Sequence, residues 1–308
     1  MRCFITGVSG FIGSAVAGQL LAKGHTISGL TSDKTKWEIL VNTGIKPILG
    51  DIRQPQQWVD HLRDVEAVLH LAKLPIPSRP GSRYVRELLE VQKSTTGRML
   101  EAVSDRCKAF VYTSGASVYG SRPGVHEESA KLDPCRIAQP YAAGEQMVLH
   151  AAREKGIPGI VIRPAGVYGF GGVFGRFWAR PMMAGKRTGI PGNGKQLFSF
   201  VHIDDCARAF VRCIEDPMPG EIFNVADNEP VPLGTMIRAL ALALKAPAPF
   251  NIPPFLFKLM AGPIVGELLL HHKSAGNRKM IEQLKVELQY PTYREGIPEL
   301  VSAMRKMT

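Results

Sequence analysis

The sequence predicts an α/β protein in which helices cover both faces of a doubly wound parallel sheet, with a smaller, mostly helical lobe toward the C-terminus. Two features of the 308 residues support this prediction. Short apolar runs alternate with helical patterns through the first half, as in strand–helix–strand units. The runs are continuously apolar rather than alternating, which is typical of strands buried on both faces.

The elements follow one another in a regular order up to residue 163. Strands are predicted from residue 3, from residue 25 and over residues 46–49, 66–72, 109–113 and 159–162, and helices over residues 11–23, 84–105 and 141–155. Further on, a helix near 203–215 and a strand near 222–225 predict a return to the sheet. We therefore expect a domain of residues 1–164, rejoined by 200–225, a smaller lobe of residues 165–199 and 226–308, and a cleft between them.

The net charge is +11, from 38 Lys and Arg residues against 27 Asp and Glu residues. Such an excess suggests a nucleic acid, an anionic membrane surface or an anionic small molecule as partner. Residues 155–203 hold seven basic residues and no acidic one, which leaves 31 basic and 27 acidic residues elsewhere. Because this segment is mixed rather than a Lys/Arg tail, we expect no nucleic-acid binding. A wall that faces an anionic substrate and a solvated basic surface remain the two interpretations.

Compartment and metal signals are weak. Five scattered cysteines without a CxxC pair indicate neither a disulfide framework nor a zinc site, and we expect no metal. The N-terminal segment does not resemble a signal peptide. Prolines and charged residues interrupt the apolar stretch of residues 250–270, so we expect no transmembrane segment. A soluble, cytoplasmic protein is the expectation.

A glycine-rich turn lies between the first predicted strand and helix. Gly7, Gly10 and Gly13 fall at the spacing in which one glycine permits the turn, the next lets backbone approach a pyrophosphate, and the third lets helix and strand pack closely. The helix N-terminus favours negative phosphates. The turn therefore predicts a Rossmann-type dinucleotide site in the first domain.

The residues at the end of the second strand indicate whether the cofactor's ribose carries a 2′-hydroxyl or a 2′-phosphate. An acidic residue there would hydrogen-bond a 2′-hydroxyl, whereas a basic residue would accept a 2′-phosphate. The strand ends in Ser32, Asp33 and Lys34, with Lys36 close behind. Ser32 with either lysine favours NADP(H) over NAD(H), and Asp33 keeps NAD(H) open.

Short motifs run in order through nearly the whole chain. They are TGxxGxxG from residue 6, Gly50-Asp51-Ile52, His70-Leu71-Ala72, residues 110–114 (FVYTS), Val118-Tyr119-Gly120, Arg163-Pro164, Val167-Tyr168-Gly169, residues 200–205 (FVHIDD), Phe223-Asn224-Val225 and residues 290–296 (YPTYREG). In this order they resemble an extended or atypical short-chain dehydrogenase/reductase of the NAD(P)-dependent epimerase/dehydratase family.

The resemblance implies a set of cofactor-binding residues. They are Gly7, Gly10, Phe11, Ile12 and Gly13 at the pyrophosphate, Ser32 and Lys34 at the ribose phosphate, Asp51 and Ile52 beside the adenine, Leu71, Ala72 and Lys73 under the nicotinamide ribose, and Gln92, Thr113, Arg163 and Pro164. It also implies a homodimer formed through the helices at 84–105 and 141–155.

The family moves hydride between a nicotinamide and a carbinol or carbonyl carbon. A tyrosine acts as acid or base, a lysine lowers the pKa of that tyrosine, and a serine or threonine binds the reacting oxygen. Tyr141 matches the tyrosine. The serine is expected four residues before Tyr119, where this chain has Gly115, so Ser114 and Ser117 are the candidate substitutes.

The family's lysine is also missing. The residue four positions after Tyr141 is Glu145, either as a direct replacement or because a four-residue deletion removed one helical turn together with the lysine. We expect Glu145 to be an exposed helical residue. Without a neighbouring cation Tyr141 stays protonated near neutral pH, which favours carbonyl reduction, or chemistry without net redox, over alcohol oxidation. Arg136 and the bases of residues 155–203 are the candidates to replace the missing charge.

The sequence therefore predicts an NAD(P)-dependent oxidoreductase or epimerase-like enzyme acting on a small substrate that we expect to be anionic, such as a sugar nucleotide. The candidate substrate-binding residues are Arg176, Arg180, Lys186, Arg187 and His202. The alternative is a non-catalytic NADP(H)-binding scaffold or sensor, since both the lysine and the serine are absent from their usual positions.

Overall fold

The computed structural model describes residues 1–306 and is built around a central sheet of seven parallel strands. In this part of the chain the strands are β1 (Arg2–Thr6), β2 (Thr26–Thr31), β3 (Ile45–Leu49), β4 (Ala67–His70), β5 (Ala109–Thr113), β6 (Gly159–Pro164), β7 (Gly166–Tyr168), β8 (Gly189–Pro191), β9 (Leu197–Phe198), β10 (Phe200–His202), β11 (Ile222–Val225), β12 (Val231–Pro232) and β13 (Phe250–Ile252). The sheet has the order β11-β6-β5-β4-β1-β2-β3, so the chain winds outward from β1 in one direction and then from β4 in the other. The predicted doubly wound sheet is confirmed.

Helices follow most of these strands. They are α1 (Phe11–Ala22), α2 (Trp37–Asn42), α3 (Ser82–Ala102), α4 (Gln139–Lys155), α5 (Gly172–Phe174), α6 (Arg180–Met183), α7 (Ile203–Glu215), α8 (Leu233–Ala243), α9 (Pro254–Ala261), α10 (Pro263–Leu269), α11 (Arg278–Glu282) and α12 (Tyr293–Lys306). A π-helical turn, Gly175–Ala179, joins α5 to α6. Each helix within residues 1–306 is too short or too polar to span a lipid bilayer.

The two faces of the sheet bury separate apolar cores. Successive side chains of a strand point to opposite faces, so Ile5 of β1 packs into the core shared with α1 and α7. Phe4, its neighbour, packs into the core shared with α3 and α4. This double coverage explains why the strands read as continuously apolar runs.

A third core lies in the C-terminal lobe. It joins the α5–α6 segment to α8 and α12, with Trp178, Met236 and Leu300 at its centre. Three short strand pairs, β7 with β10, β8 with β13, and β9 with β12, stabilise the connections. The predicted strand over residues 66–72 ends at His70, and residues 71–73 consequently form a loop at the carboxyl edge of the sheet.

Candidate functional site

A cleft of about 830 Å³ opens along the carboxyl edge of the sheet. Because β2, β1, β4, β5 and β6 are neighbours in that order, the loops that follow them succeed one another along the cleft. We call glycine-rich side the part lined by Gly7, Lys36 and residues 9–13, 30–33, 50–53 and 71–73. We call apolar side the part lined by Val173, Phe174, Trp178, Phe198, Phe200, Leu233, Leu268 and Leu269. Ligands of open α/β sheets bind at this edge, where the strand order reverses.

The glycine-rich turn has no space for side chains. Gly7 has φ +72°, and a Cβ on Gly13 would lie 2.1 Å from the Gly7 carbonyl oxygen. A Cβ on Gly7 would lie 2.9 Å from Cα of Ala72 in the loop after β4. Gly10 is the N-cap of α1 and offers no side chain to the first helical N–H groups, which therefore remain available to an anion. The backbone here fits a pyrophosphate.

The ribose end of the glycine-rich side is lined by Ser32, Asp33 and Lys36, whereas Lys34 is absent from the described lining. The carboxylate of Asp33 accepts hydrogen bonds from the backbone N–H of Thr35 at 2.9 Å and from its hydroxyl at 2.6 Å. These bonds lower the pKa of Asp33. Asp33 therefore caps the turn after β2, and Lys36 is the lysine of this turn that lines the cleft.

Most residues assigned to the cofactor by resemblance line this cleft. Those that do are Gly7, Gly10, Phe11, Ile12, Gly13, Ser32, Asp51, Ile52, Leu71, Ala72, Lys73, Thr113 and Pro164. Gln92 is the first exception, because it is a buried residue of α3 and accepts a hydrogen bond from the Tyr112 hydroxyl at 3.0 Å. Within residues 1–306 neither Gln92 nor Arg163 belongs to the lining.

Arg163 and Glu145 form a buried ion pair. Arg163 Nη2 lies 2.6 Å from Glu145 Oε2, and the two side chains are 2% and 0% exposed. Arg163 also donates to the hydroxyl of Tyr119 at 2.8 Å. The expectation that Arg163 contacts the cofactor and the expectation that Glu145 is exposed are therefore both corrected. The pairing compensates two charges that burial would otherwise penalise.

The candidate catalytic residues all belong to the cleft. Tyr141, Ser114 and Ser117 all belong to its lining. The Ser114 hydroxyl is buried and has no hydrogen-bond partner within the described part of the chain. Because buried hydroxyls are normally satisfied, an orphaned one that faces a cleft is a candidate ligand donor. Burial raises the pKa of Tyr141, so its phenol is protonated at neutral pH and can donate.

Lys73 is the cation beside Tyr141. Its Nζ lies 4.4 Å from the centre of the Tyr141 ring and 4.8 Å from that of Tyr112. It donates a hydrogen bond to the Thr113 carbonyl oxygen at 2.5 Å. Burial lowers the pKa of Lys73 to about 7.

The cations predicted to replace the missing lysine lie elsewhere. Arg136 is bound to Glu267 with its Nε 2.7 Å from Oε1, and it is not part of the lining among the described residues. Sequence reasoning placed Lys73 under the cofactor without recognising its proximity to Tyr141, because the end of β4 and the start of α4 meet only in the folded chain.

The basic segment does not form a wall of the cleft. Arg176, Arg180, Lys186 and Arg187 are exposed, and none of them lines the cleft in the portion of the chain that is described. The Arg180 guanidinium lies 4.8 Å from the ring centre of Phe170, and Arg187 donates to a backbone carbonyl at 2.8 Å. The solvated-surface interpretation describes these side chains better than the substrate-wall interpretation.

His202 is also outside the described lining. It is buried at the N-cap of α7, where Nδ1 accepts the backbone N–H of Asp204 at 3.3 Å. Its Nε2 lies 3.2 Å from a carboxylate oxygen of Glu299. His202 therefore joins β10, α7 and α12, and its assignment to the substrate is corrected. The expectation of no metal stays a prediction.

The apolar side replaces the expected basic wall. Its aromatic residues come from the α5–α6 segment and from β9 and β10. The π-helical turn places Trp178 in the lining, and π-helical turns occur frequently at functional sites. One cation is added by Lys273, which is 6% exposed and donates to the Gly120 carbonyl at 2.9 Å. Sequence reasoning missed both features, since neither follows a local motif.

The fold and this cleft define an NAD(P)-binding protein of the extended short-chain dehydrogenase/reductase class. The chain belongs to the NAD dependent epimerase/dehydratase family, whose model matches residues 3–226.

Relatives in this family carry out different reactions. The chain is 27% identical to the 3-diazoavenalumate denitrifying reductase of a Streptomyces species, over 96% of this chain and 99% of the relative. It is 28% identical to the UDP-glucose 4-epimerase of Mycolicibacterium smegmatis, over 80% of this chain and 84% of the relative.

Solved structures with the same fold hold either nicotinamide cofactor. The human epimerase family protein SDR39U1, with NADPH, matches with a TM-score of 0.83 at 21% identity and covers 98% of this chain and 99% of its own. The UDP-glucuronic acid 4-epimerase of Bacillus cereus, with UDP-glucuronic acid and NAD, matches with a TM-score of 0.83 at 21% identity over the whole of both chains.

Proposed function

We propose that this protein is an NADP(H)-dependent oxidoreductase that reduces the carbonyl group of a small molecule. The observation that carries the proposal is the orphaned Ser114 hydroxyl, which shares one cleft with the Tyr141 phenol and the glycine-rich turn. Bound NADPH would supply the hydride to the carbonyl carbon. Ser114 would hold the carbonyl oxygen by a hydrogen bond, with Ser117 beside it, and Tyr141 would donate the proton to that oxygen.

Binding of NADP(H) rather than NAD(H) is supported by the ribose end of the glycine-rich side. The Asp33 carboxylate already accepts hydrogen bonds from the backbone N–H and the hydroxyl of Thr35. Lys36 lines the cleft. We expect Lys36→Ala to weaken NADPH binding by about tenfold, as for the loss of one hydrogen bond to a charged group, and to leave NADH binding within about twofold. Lys34→Ala, two residues away and outside the described lining, is the matched control. Fluorescence titration would measure both affinities, and equal losses for NADPH and NADH would contradict the preference.

The lining of the apolar side supports a largely apolar carbonyl compound. A sugar nucleotide, the substrate type of several relatives, receives less support because the four exposed basic residues lie outside the described lining. A small anionic group remains compatible with Lys273. The proposed substrate lobe is residues 165–199 and 226–308, and a homodimer and a cytoplasmic location stay predictions.

The test is turnover by the purified protein. NADPH oxidation is followed by absorbance with a panel of aromatic ketones, aliphatic aldehydes and sugar nucleotides. We expect turnover with an apolar carbonyl compound and a loss of about a hundredfold or more in Tyr141→Phe, in the range for removal of a general acid. Turnover that is unchanged in Tyr141→Phe would contradict the assigned role.

A non-catalytic NADP(H)-binding protein is the second candidate. It is favoured by Gly115 at the position expected for the serine and by Glu145, held by Arg163, at the position expected for the lysine. Tight NADPH binding without turnover of any panel member would favour this candidate over the enzyme.

A further inference from the structure

We propose that Lys73, in the loop after β4, supplies the positive charge that Tyr141 needs, in place of the helix lysine that the family resemblance implies. This inference rests on the proposed function, in which Tyr141 is the proton donor. Lys73 lines the cleft, and its Nζ lies over the Tyr141 ring at 4.4 Å from the centre. The Thr113 carbonyl oxygen fixes Nζ at 2.5 Å, so the ammonium is held in place before a substrate enters.

The position explains how α4 can carry an acid where a lysine is expected. Glu145 is one turn after Tyr141, and its carboxylate is held by Arg163 at 2.6 Å in a fully buried pair. A lysine at this point would face the Arg163 guanidinium in the core. A cation supplied from the loop after β4, where Lys73 lies, removes that conflict.

The groups around Lys73 determine how its charge responds to pH. Burial lowers the pKa of Lys73 to about 7, and the charge of Glu145 opposes that shift. On β4, burial and Lys73 lower the pKa of His70 to about 3, so this ring is neutral. On β5 and α4, burial raises the pKa of Tyr112 and of Tyr141, so both phenols are neutral. Lys73 is therefore the group of this cluster that titrates near neutrality.

The chemical role of Lys73 follows from where the electrons and the proton go when a carbonyl group is reduced. In the reduction the carbonyl π bond would break, bound NADPH would supply a hydride with its two electrons to the carbon, and Tyr141 would give its phenolic proton to the oxygen. Tyr141 would then be a phenolate near the Lys73 ammonium. The ammonium would stabilise the phenolate until Lys73 or water returns a proton to it. An opposite charge within about 4–6 Å of a titratable group is worth about one to three pKa units.

The first test measures Lys73 without any turnover. Lysines of the whole protein are labelled by reductive ¹³C-methylation, and the Lys73 signal is identified by its absence in Lys73→Arg. We expect it to titrate near pH 7 and its chemical shift to change when the Tyr141 ring over which Nζ lies is removed in Tyr141→Leu, whereas Lys93→Met, an exposed control on α3, leaves it unchanged. Titration at the ordinary lysine value near 10.4, or no response to Tyr141→Leu, would overturn the inference.

The second test uses the pH profile. We expect Lys73→Met to lower kcat by about tenfold to a thousandfold, and to cause no further loss in the Tyr141→Phe background. Wild-type activity should fall above pH 7 as Lys73 loses its proton, and Lys73→Arg should keep its activity to higher pH. If turnover depends on Tyr141 but not on Lys73, this inference fails alone. If no carbonyl is reduced, the proposed function fails, and the titration still decides whether Lys73 is coupled to Tyr141.

Discussion

The two sides of the cleft differ in which part of the chain forms their surface, backbone on one side and large side chains on the other. The glycine-rich side has closely packed backbone at the ends of β1 and β4, where a Cβ added to Gly7 or Gly13 would overlap a main-chain atom. The apolar side consists of large aromatic and aliphatic side chains carried by short elements of the C-terminal lobe. The first side is specified by close backbone packing and the second by side-chain shape, so substitutions should act on them differently.

The difference between the two sides also separates binding of the cofactor from selection of the substrate. A backbone cradle recognises the part common to all dinucleotides, because its N–H groups bind phosphate whatever the neighbouring side chains are. An apolar pocket selects by shape and exclusion of water, and it changes whenever its side chains change. Relatives in one family can therefore share the cofactor and differ in substrate.

The largest expected effect is on the glycine-rich side. In Gly13→Ala the new Cβ would lie 2.1 Å from the Gly7 carbonyl oxygen, and neither backbone segment can move without opening the turn. We expect NADPH affinity to fall by at least a hundredfold, measured by fluorescence titration. Gly18→Ala on the same helix is the control, since its Cβ meets no atom within 4 Å and should stabilise the protein by about 0.5–1 kcal/mol. Equal affinity in the two variants would show that the close packing is not required.

The second-largest expected effect concerns the buried ion pair of Glu145 and Arg163. Glu145→Ala leaves the buried Arg163 guanidinium without its carboxylate, and breaking such a pair costs about 3–5 kcal/mol. We expect a loss of this size in the free energy of unfolding by urea. Glu154→Ala, exposed on the same helix, should change it by less than about 0.5 kcal/mol. A small loss for Glu145→Ala would mean that the pair is not essential for the core.

The two sides also differed in how far the sequence could predict them. The turn at Gly7, Gly10 and Gly13 was predicted because its geometry depends on residues close together in sequence. The contact between Lys73 and Tyr141 was not, since it requires β4 and α4 to be placed by the whole fold. The excess of basic residues in the segment 155–203 led us to expect Arg180 in the wall of the cleft, where it does not lie. Composition indicates how many charges a segment has and not where their side chains point.

A third effect tests the apolar side against the basic segment. Val173 lines the cleft and is 43% exposed, so Val173→Asp should fold normally. A carboxylate against an apolar substrate loses solvation worth about 1–3 kcal/mol, and we expect KM to rise by about tenfold to a hundredfold. The double variant Arg176→Ala with Arg180→Ala, on the same helical segment, should change KM by less than about twofold. The opposite order in steady-state kinetics would restore the basic wall and favour a sugar nucleotide.

The smallest effect concerns the junction between the two sides. Gly115 stands where relatives are expected to have the serine, its φ is an extended 175°, and an added Cβ would meet the Pro164 carbonyl oxygen and the Ser117 hydroxyl at 3.7 Å each. These are ordinary contacts, so Gly115→Ser should change the free energy of unfolding by less than about 0.5 kcal/mol.

The new hydroxyl would give the carbonyl oxygen a second hydrogen bond, and we expect kcat to rise by about twofold to tenfold, as for one neutral hydrogen bond. Gly115→Ala carries the same Cβ without the hydroxyl and should leave kcat unchanged or lower. If Ser and Ala behave alike, the hydroxyl of Ser114 already fills the position that the extra serine would take. The cleft would then be a diverged but complete reduction site rather than a site that has lost one of its donors.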